Sequence, residues 1–436
     1  MRWNPFVVVS LIQFGACISS PGQSGPHRLA GITVMPDRTI SLELDGSAST
    51  PLRSYFDLYV LETSSNAADW SPLTTLLRTN NSTARLLYID FEAPRHAWRF
   101  YRTFTNHLST PFPKPTGPYA VGTTSILLTD PSRTDRSNVA PNNSFMITLW
   151  YPAPPMPGIL PAAYIEPKLA PALAGLYGTS QSVLAGFCSH ARAGTSAASI
   201  EAPYPVVLYS HGFRVSRHDN TAKCVELASH GYVVVAADHA DCLATVFPDG
   251  RMLTTTISSL SAALFESNVA DLRFVLETLT QLNRDDPRFR GVLDMQRVGT
   301  MGWSYGGGVA AEICRTDNRV KATVLLDAYL QNAHDVAWLG IQKPFLGMYN
   351  AASAFTTLFD LATRDAVWMN IKNTEHQHFA DWRAWISSPA DSGRRAGVAM
   401  NGCIVSFFDK HLKNRDDHLL DDPARVYPEI IRFARK

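Results

Sequence analysis

Residues 297–313 read RVGTMGWSYGGGVAAEI, and this stretch decides the fold of the larger part of the chain. Residues 297–301 have the character of a buried strand, and the residues from 309 onwards begin a helix. Between them lies a G-x-S-x-G motif with Ser304 at its centre. A serine on a strand-to-helix turn is exposed at the top of a parallel sheet, and glycine neighbours allow the turn to close tightly. The motif alone occurs by chance, but in this position it predicts that Ser304 is a nucleophile.

From about residue 119 onwards, predicted strands alternate with predicted helices. The strands are expected at residues 145–151, 206–210, 232–238, 297–301, 321–326, 343–349 and near 367–372, and the helices at 220–229, 258–282, from 309 and near 396–412. This alternation predicts a mostly parallel, doubly wound sheet with helices on both faces, and the serine turn makes it an α/β-hydrolase fold. The long Pro/Ala/Gly-rich stretch up to residue 205 is expected to form short helices over the mouth of the site.

A serine hydroxyl needs a neighbouring base, which is itself oriented by an acid. In α/β-hydrolases the acid and then the histidine follow the serine along the chain. Asp327 ends an apolar run that follows the serine helix, and His376 comes first after a later predicted strand. The predicted triad is therefore Ser304, Asp327 and His376. The alternatives are Asp360 or Asp365 as the acid and His378 as the base.

Acyl transfer also needs hydrogen-bond donors for the oxyanion of the tetrahedral intermediate. One donor is expected to be the backbone amide of Tyr305, the residue after the serine. The other is expected from Phe213, because the predicted strand at 206–210 runs into a His-Gly pair just before it. The side chains of Trp303, Phe213 and Tyr305 are predicted to bind substrate as an aromatic pocket rim.

The composition is that of an ordinary soluble globular protein, with 39 Lys and Arg against 38 Asp and Glu in 436 residues. This balance does not favour nucleic acid or an anionic membrane surface as a partner. The chain has Cys17 and five later cysteines, without the C-x-x-C or clustered Cys/His spacing of a metal site. No metal or organic cofactor is expected. If disulfides form, Cys224 with Cys242 is the favoured pair.

The first residues resemble an export signal. Arg2 precedes the apolar run FVVVSLIQF at 6–14 and a tract of small residues at 15–20, which predicts a signal peptide over residues 1–24. The apolar run is too short to span a bilayer, and no other stretch is long enough. The alternatives are a buried N-terminal strand, or a lipid anchor at Cys17. The chain is therefore expected to be secreted or periplasmic, with a lipoprotein as the minor option.

Residues 25–109 form the second predicted segment, and their alternating apolar pattern indicates an all-β domain. The motifs DWSPL at 69–73 and RFYR at 99–102 resemble small β-sandwich modules attached to many exported bacterial proteins. This module is expected to serve polymer attachment or to act as a spacer. Residues 110–118 hold four prolines and are predicted to be a semi-rigid linker to a catalytic domain at 119–436.

With these residues placed, the chain from about residue 116 resembles the platelet-activating-factor acetylhydrolase family of α/β-hydrolases. The resemblance rests on TGPYAVG at 116–122, YSHGF at 209–213, LASHGY at 227–232, Asp238-His239, LDA at 326–328 and HQHFAD at 376–381. It implies the same triad and the same two oxyanion amides. The family's serine motif is usually G-H-S-F-G, whereas Trp303 and Tyr305 flank the serine here, and this elbow also resembles those of bacterial cutinase-like polyester hydrolases.

The sequence thus predicts a serine carboxylic-ester hydrolase that acts through an acyl-enzyme intermediate. Short-acyl esters or phospholipids resembling platelet-activating factor are the substrates that the resemblance implies. A polyester hydrolase, with the β module holding the polymer, is the alternative among enzymes. A non-catalytic binding protein on a hydrolase fold is the alternative from another class.

Overall fold

The structure is a computed structural model. It describes residues 29–44, 56–64, 71–79, 86–90, 93–95, 100–106, 110–133, 143–155, 159–330, 335–351, 357–386 and 391–436. The chain divides into two compact units, residues 1–110 and 111–436. Within the described ranges, no helix combines the length and the apolar character needed to cross a membrane.

The first unit consists of short antiparallel strands. They are β1 (Leu29–Val34), β2 (Ile40–Leu44), β3 (Phe56–Ser64), β4 (Ser71–Thr79), β5 (Leu86–Asp90) and β6 (Phe100–Asn106). Three of them pair in the order β1-β2-β5, and the other three in the order β4-β3-β6. The predicted small all-β part is confirmed, while its exact bounds at residues 25–109 remain a prediction. The predicted signal peptide and Cys17 lie outside the described residues.

The second unit is built on one large sheet. Its strands are β7 (Ala120–Thr129), β8 (Ser144–Ala153), β9 (Pro161–Ala163), β10 (Cys188–Ala193), β11 (Tyr204–Ser210) and β12 (Val233–Ala237), followed by β15 (Leu293–Trp303), β16 (Val320–Leu326), β17 (Phe345–Asn350), β18 (Ala366–Ile371) and β19 (Ile430–Arg435). A separate two-stranded ribbon, β13 (Ala244–Val246) and β14 (Met252–Thr254), stands outside this sheet.

The strand order in the large sheet is β19-β18-β17-β16-β15-β11-β12-β8-β7-β10-β9. The six strands from β18 to β12 in this order run parallel to one another, while β19 and β8 flank them in the antiparallel direction. The chain moves from β11 to β12 on one side, and from β15 through β16 and β17 to β18 on the other. The order therefore reverses at β11 and β15, the kind of position where open α/β sheets place their ligand sites.

Helices cover both faces of the sheet. They are α1 (Ala170–Leu173), α2 (Gln181–Ala185), α3 (Thr221–Ser229), α4 (Ala262–Asp285), α5 (Tyr305–Thr316), α6 (Val336–Leu339), α7 (Thr357–Asp360), α8 (Asp391–Lys413) and α9 (Pro423–Val426). Apolar residues of α3 and α8 share one buried cluster, and those of α4 and α5 share the other. The predicted α/β-hydrolase architecture is confirmed.

Strand β11 shows why the sheet is stable between these layers. Val207 and Tyr209 belong to the cluster under α3 and α8, whereas Val206 and Leu208 belong to the cluster under α4 and α5. All four side chains are buried. Burying a side chain such as valine or leucine contributes roughly 1.5–3 kcal/mol, so a central strand that is apolar on both faces needs a helical layer on each.

The proline-rich segment predicted as a linker lies against the second unit from residue 111 onwards. Phe112 is buried in the core beneath α3 and α8. The Thr116 amide donates to the Glu226 carboxylate, and the Gly117 amide donates to the Ser229 hydroxyl. These contacts attach the segment to α3.

The favoured disulfide between Cys224 and Cys242 is wrong. Both thiols are free and buried, as are the other described cysteines, Cys188, Cys314 and Cys403. Cys224 packs in the apolar cluster beneath α3, whereas the Cys242 thiol donates to the Asp238 carboxylate. The two residues therefore serve packing and hydrogen bonding at separate places.

Helix α4 begins later than its apolar pattern predicts. The Ser261 side chain accepts a hydrogen bond from the Leu264 amide, which caps the helix so that its first residue is Ala262 rather than residue 258. Serine at this position satisfies an amide that has no partner within the helix.

We expect Gly302→Ala to destabilise the protein, because a methyl group there would lie 2.1 Å from the Gly306 carbonyl oxygen and 2.4 Å from the Gly306 carbonyl carbon. Overpacking against backbone costs about 1–3 kcal/mol or more, and urea denaturation measures it. Gly175→Ala is the matched control, since nothing lies within 4 Å of its added methyl group. Equal stability of the two variants would show that the close approach at Gly302 is absent.

Candidate active site

Ser304 occupies a strained turn between β15 and α5. Its backbone has φ 55° and ψ −123°, a conformation that L-residues rarely adopt and that costs on the order of 1–3 kcal/mol. Hydrogen bonds hold the turn in place: the Ser304 amide donates to the Leu326 carbonyl, and the Ser304 carbonyl accepts from the amides of Gly307 and Tyr329. The surrounding structure therefore fixes the serine at the carboxyl end of β15.

The structure brings the three predicted triad residues together. His376 Nε2 lies 2.8 Å from Ser304 Oγ, and His376 Nδ1 lies 2.6 Å from Asp327 Oδ2. The carboxylate accepts from Nδ1–H, so Nε2 is left to accept the serine hydroxyl hydrogen. Asp327 is buried, whereas the His376 side chain is 39% exposed. The arrangement can move a proton from the hydroxyl to an imidazole that a buried carboxylate orients.

Asn350 holds the Asp327 carboxylate, and sequence reasoning missed this residue. Its backbone amide donates to Asp327 Oδ1 at 3.0 Å, and its side-chain amide contacts both carboxylate oxygens at 3.1 and 3.0 Å. Burial alone would raise the pKa of Asp327, but hydrogen bonds from His376 and Asn350 outweigh it and hold the pKa below its ordinary value. A signal was present: Asn350 ends β17, the strand beside the one that leads to Asp327.

Trp303 fixes the imidazole from the other side. Its indole Nε1 donates to the His376 carbonyl at 3.1 Å, and its ring lies 5.0 Å from the imidazole at 31°. The prediction of an aromatic rim is wrong for Trp303 and Tyr305, which are only 4% and 2% exposed. These rings pack inward because β15 and α5 carry them into the two apolar clusters. Among the three, Phe213 alone is partly exposed.

The two residues predicted to donate to the oxyanion, Tyr305 and Phe213, belong to segments that meet at the serine turn. Tyr305 is the first residue of α5, where backbone amides lack partners within the helix. A Cβ on Gly212 would lie 2.5 Å from the Trp303 ring and 3.4 Å from Ser304 Cβ, so the backbone that leads into Phe213 presses directly on the serine turn. The rings of Phe213 and Tyr305 meet edge to face at 6.0 Å.

The rival residues lie elsewhere. His378 Nδ1 accepts the Glu375 amide, closing the short turn that carries His376. Asp365 pairs with Arg435 and Lys410, and Asp360 is the last residue of the four-residue helix α7. None of these three side chains takes part in the contacts of Ser304.

Two buried carboxylates lie behind the site, and sequence reasoning did not predict their role. Asp219 accepts from the Gly212 amide and from the Tyr209 hydroxyl, and burial raises its pKa to about 6. Asp381 accepts from the Ala222 amide, and its own amide donates to the Asp219 carbonyl. Burial raises the pKa of Asp381 well above its ordinary value, although Lys223 opposes the shift. The HQHFAD block thus joins His376 at one end to α3 at the other.

Among the described residues, one group has the spacing of metal ligands, but its side chains do not fit a metal site. Ligand atoms of His211, Asp238 and Cys242 lie within 4.8 Å of one another. However, His211 Nε2 accepts the His239 amide, and the Asp238 carboxylate is paired with Arg217. These lone pairs are therefore already used within the protein.

We expect Asp381→Asn to change how stability depends on pH. A carboxyl group whose folded pKa is raised contributes stability below its unfolded pKa, 3.8 for this group, and loses that contribution as the pH rises through its folded pKa. The contribution of Asp381 to the stability of the wild type should therefore be lost as the pH is raised from about 4 through neutrality. The amide keeps the acceptor for Ala222 but cannot ionise, so this part of the slope should disappear in urea titrations at several pH values.

Asp285→Asn is the control for that measurement, because the Asp285 side chain is 61% exposed and pairs with its neighbour Arg284 at the surface. It should keep the wild-type slope. An unchanged slope in Asp381→Asn would mean that Asp381 is ionised in the folded protein over this range.

Comparison with known proteins agrees with this geometry. The family model described as platelet-activating factor acetylhydrolase, isoform II, matches residues 104–249. A platelet-activating factor acetylhydrolase of Cavia porcellus is 25% identical over 313 residues, covering 63% of this chain and 69% of its own length. A probable 1-alkyl-2-acetylglycerophosphocholine esterase of Arthroderma benhamiae is 25% identical over 369 residues, covering 73% of this chain and 92% of its own length.

The chain spans 63% of the length of the acetylhydrolase of Bos taurus, which it matches at 22% identity. Among solved structures, a ferulic acid esterase from Streptomyces cinnamoneus is 31% identical with a TM-score of 0.62. The match covers 73% of this chain and 97% of the esterase. The resemblance stated from the sequence is confirmed: the chain belongs to the α/β-hydrolases related to platelet-activating factor acetylhydrolase, and it is a carboxylic ester hydrolase.

Proposed function

We propose that the protein hydrolyses carboxylic esters with Ser304 as the nucleophile, His376 as the general base and Asp327 as the residue that orients the histidine. The observation that carries this proposal is the unbroken hydrogen-bond chain from Asp327 through His376 to Ser304, with distances of 2.6 and 2.8 Å. Such a chain activates a hydroxyl that is otherwise a weak nucleophile at neutral pH.

The reaction follows in two halves. His376 Nε2 takes the Ser304 proton as Oγ attacks the ester carbonyl, and then gives that proton to the leaving alcohol. Water next attacks the acyl-enzyme, again with His376 as base, and releases the acid and the free serine. Asp327 stabilises the imidazolium that forms in each half, since its lowered pKa keeps the carboxylate ionised.

Backbone amides of Phe213 and Tyr305 are proposed to receive the oxyanion. The contact of Gly212 with the serine turn supports this role, because Gly212 directly precedes Phe213 and a Cβ on it would lie 3.4 Å from Ser304 Cβ. Donors fixed before the reaction stabilise charge without reorganising, and removing one typically costs about 3–4 kcal/mol of barrier.

The proposed substrates are esters of short acyl groups, including phospholipids of the kind named for the relatives from Cavia porcellus and Arthroderma benhamiae. Esters of aromatic acids are the second candidate, because the solved esterase that is 31% identical is named for ferulic acid. The partly exposed Phe213 ring, packed on Tyr305, suits an apolar or aryl acyl group. Polyester hydrolysis aided by the β module, and a purely binding role, remain the alternatives.

The N-terminal pattern supports a further part of the proposal, that the protein is exported and acts on esters outside the cytoplasm. Arg2 and the apolar run at residues 6–14 carry this expectation.

The substrate class is tested with p-nitrophenyl esters of increasing acyl length, an acetylated phospholipid, a feruloyl ester and an aromatic polyester film, on wild type and Ser304→Ala. Turnover that falls steeply beyond short acyl chains would support the acetylhydrolase-like reaction, and preference for the feruloyl ester would support the second candidate. Film hydrolysis without phospholipid hydrolysis would favour the polyester alternative. Full activity in Ser304→Ala would contradict the proposal.

We expect Asn350→Ala to lower kcat about tenfold with KM unchanged, because the variant loses the side-chain amide that donates to both Asp327 oxygens and keeps only the backbone donor. Hydrogen bonds to a charged group are worth about 1.5–3 kcal/mol. Steady-state kinetics on a short-chain p-nitrophenyl ester measure the effect. Asn283→Ala is the control, since the Asn283 side chain also holds backbone, with two hydrogen bonds to Leu293 at the start of β15. A wild-type kcat in Asn350→Ala would mean that Asp327 is held adequately without it.

A further inference from the structure

A second Ser-His-Asp chain lies inside the protein, separate from Ser304. His239 Nε2 lies 2.8 Å from Ser210 Oγ, and His239 Nδ1 lies 2.9 Å from Asp271 Oδ2. Because the carboxylate accepts from Nδ1–H, the serine hydroxyl must donate to Nε2. Ser210 ends β11, His239 follows β12 and Asp271 is on α4, so three elements meet at this chain.

This buried triad, defined as Ser210, His239 and Asp271, is sealed from substrate. Ser210 and Asp271 are 0% exposed, and His239 is 2% exposed. Burial lowers the pKa of His239, which favours the neutral imidazole that the hydrogen-bond pattern requires. Asp271 is also paired with Arg133, which balances its charge inside the protein. An ester cannot reach the Ser210 hydroxyl, so the buried triad is not a second reaction centre.

The buried triad instead lies directly beneath the loop that leads to Phe213. Ser210 is its first member, and the loop continues through His211 and Gly212 to the proposed oxyanion donor. A Cβ on Gly306 would lie 2.2 Å from the Ser210 carbonyl oxygen and 2.3 Å from the His211 carbonyl oxygen. The loop therefore cannot move closer to Gly306. On its other side, its position depends on the hydrogen bonds of the buried triad.

Further hydrogen bonds tie the same loop to the same histidine. The His239 amide donates to His211 Nε2, and His211 Nδ1 donates to the Gly212 carbonyl. The Gly212 amide donates in turn to Asp219. The Ser210 hydroxyl, the His211 imidazole and the Gly212 amide and carbonyl thus all have hydrogen-bond partners that are buried.

We infer that Ser210 and His239 are positioning residues for the reaction: through the buried triad they fix the direction of the Phe213 amide toward the oxyanion. This inference rests on the proposed function of Phe213 and Ser304. A donor that is held in place before the reaction stabilises the transition state more than the ground state, so misaiming it lowers kcat rather than raising KM.

The test compares Ser210→Ala, Ser210→Cys and the control Ser229→Ala in the full chain. Ser229 is also a fully buried serine, but its hydroxyl bonds to the Glu226 carbonyl and the Gly117 amide at the opposite end of α3 from the site. The readouts are kcat and KM on a short-chain p-nitrophenyl ester, the inhibition constant of phenylboronic acid, and thermal stability. A boronate bound to serine places an oxygen at the oxyanion position.

We expect Ser210→Ala to lose about tenfold or more in kcat, less than the roughly 100- to 1,000-fold loss on deleting an oxyanion donor itself, with KM unchanged. Affinity for phenylboronic acid should fall in parallel. Ser210→Cys should lie between, because a thiol is a weak donor. Ser229→Ala should lose stability while keeping kcat and boronate affinity.

A folded Ser210→Ala with wild-type kcat and boronate affinity would overturn the inference and leave the serine a purely structural role. If Ser210→Ala does not fold, Ser210→Cys decides on the same readouts, and a wild-type kcat there overturns the inference equally. Failure of the proposed function would look different, since the wild type itself would then hydrolyse esters without needing Ser304.

Discussion

Close backbone contact between the serine turn and the loop after β11 is the constraint on which the site depends. A Cβ at Gly306 would lie 2.2 Å from the Ser210 carbonyl oxygen, and one at Gly212 would lie 2.5 Å from the Trp303 ring; real side chains do not show such distances. The contact exists because β11 and β15 are adjacent parallel strands that end at the same edge, at the point where the strand order reverses. It brings the backbone of Gly212 against the turn that carries Ser304.

Three buried carboxyl groups near this contact differ in the direction of their pKa shifts. Asp327 stays ionised because Asn350 and His376 supply hydrogen bonds that offset its burial. Burial raises the pKa values of Asp219 and Asp381, by contrast, and these two side chains accept from the backbone amides of Gly212 and Ala222. The same residue type thus has a lowered pKa at one position and a raised pKa at the others, and the balance between burial and hydrogen bonding decides which.

The sheet, the serine turn and the meeting of Ser304, Asp327 and His376 could be predicted from the sequence, because each has a local signature. Ser304, Asp327 and His376 all follow strands whose apolar runs are visible in the chain. The inward packing of Trp303 could not be predicted, since the side that a residue faces at a tight turn depends on α8 and Trp382, which are distant in sequence. Asn350, Asp381 and the buried triad were missed for the same reason: their partners lie 23 or more residues away.

The measurement that tests the central claim most directly is covalent labelling with a fluorophosphonate, followed by peptide mass spectrometry. The account predicts a single adduct on Ser304 in the wild type, much slower labelling in His376→Ala, and no adduct on Ser210 in any variant. Labelling of Ser210 or of another residue, or labelling of Ser304 at the wild-type rate in His376→Ala, would contradict it.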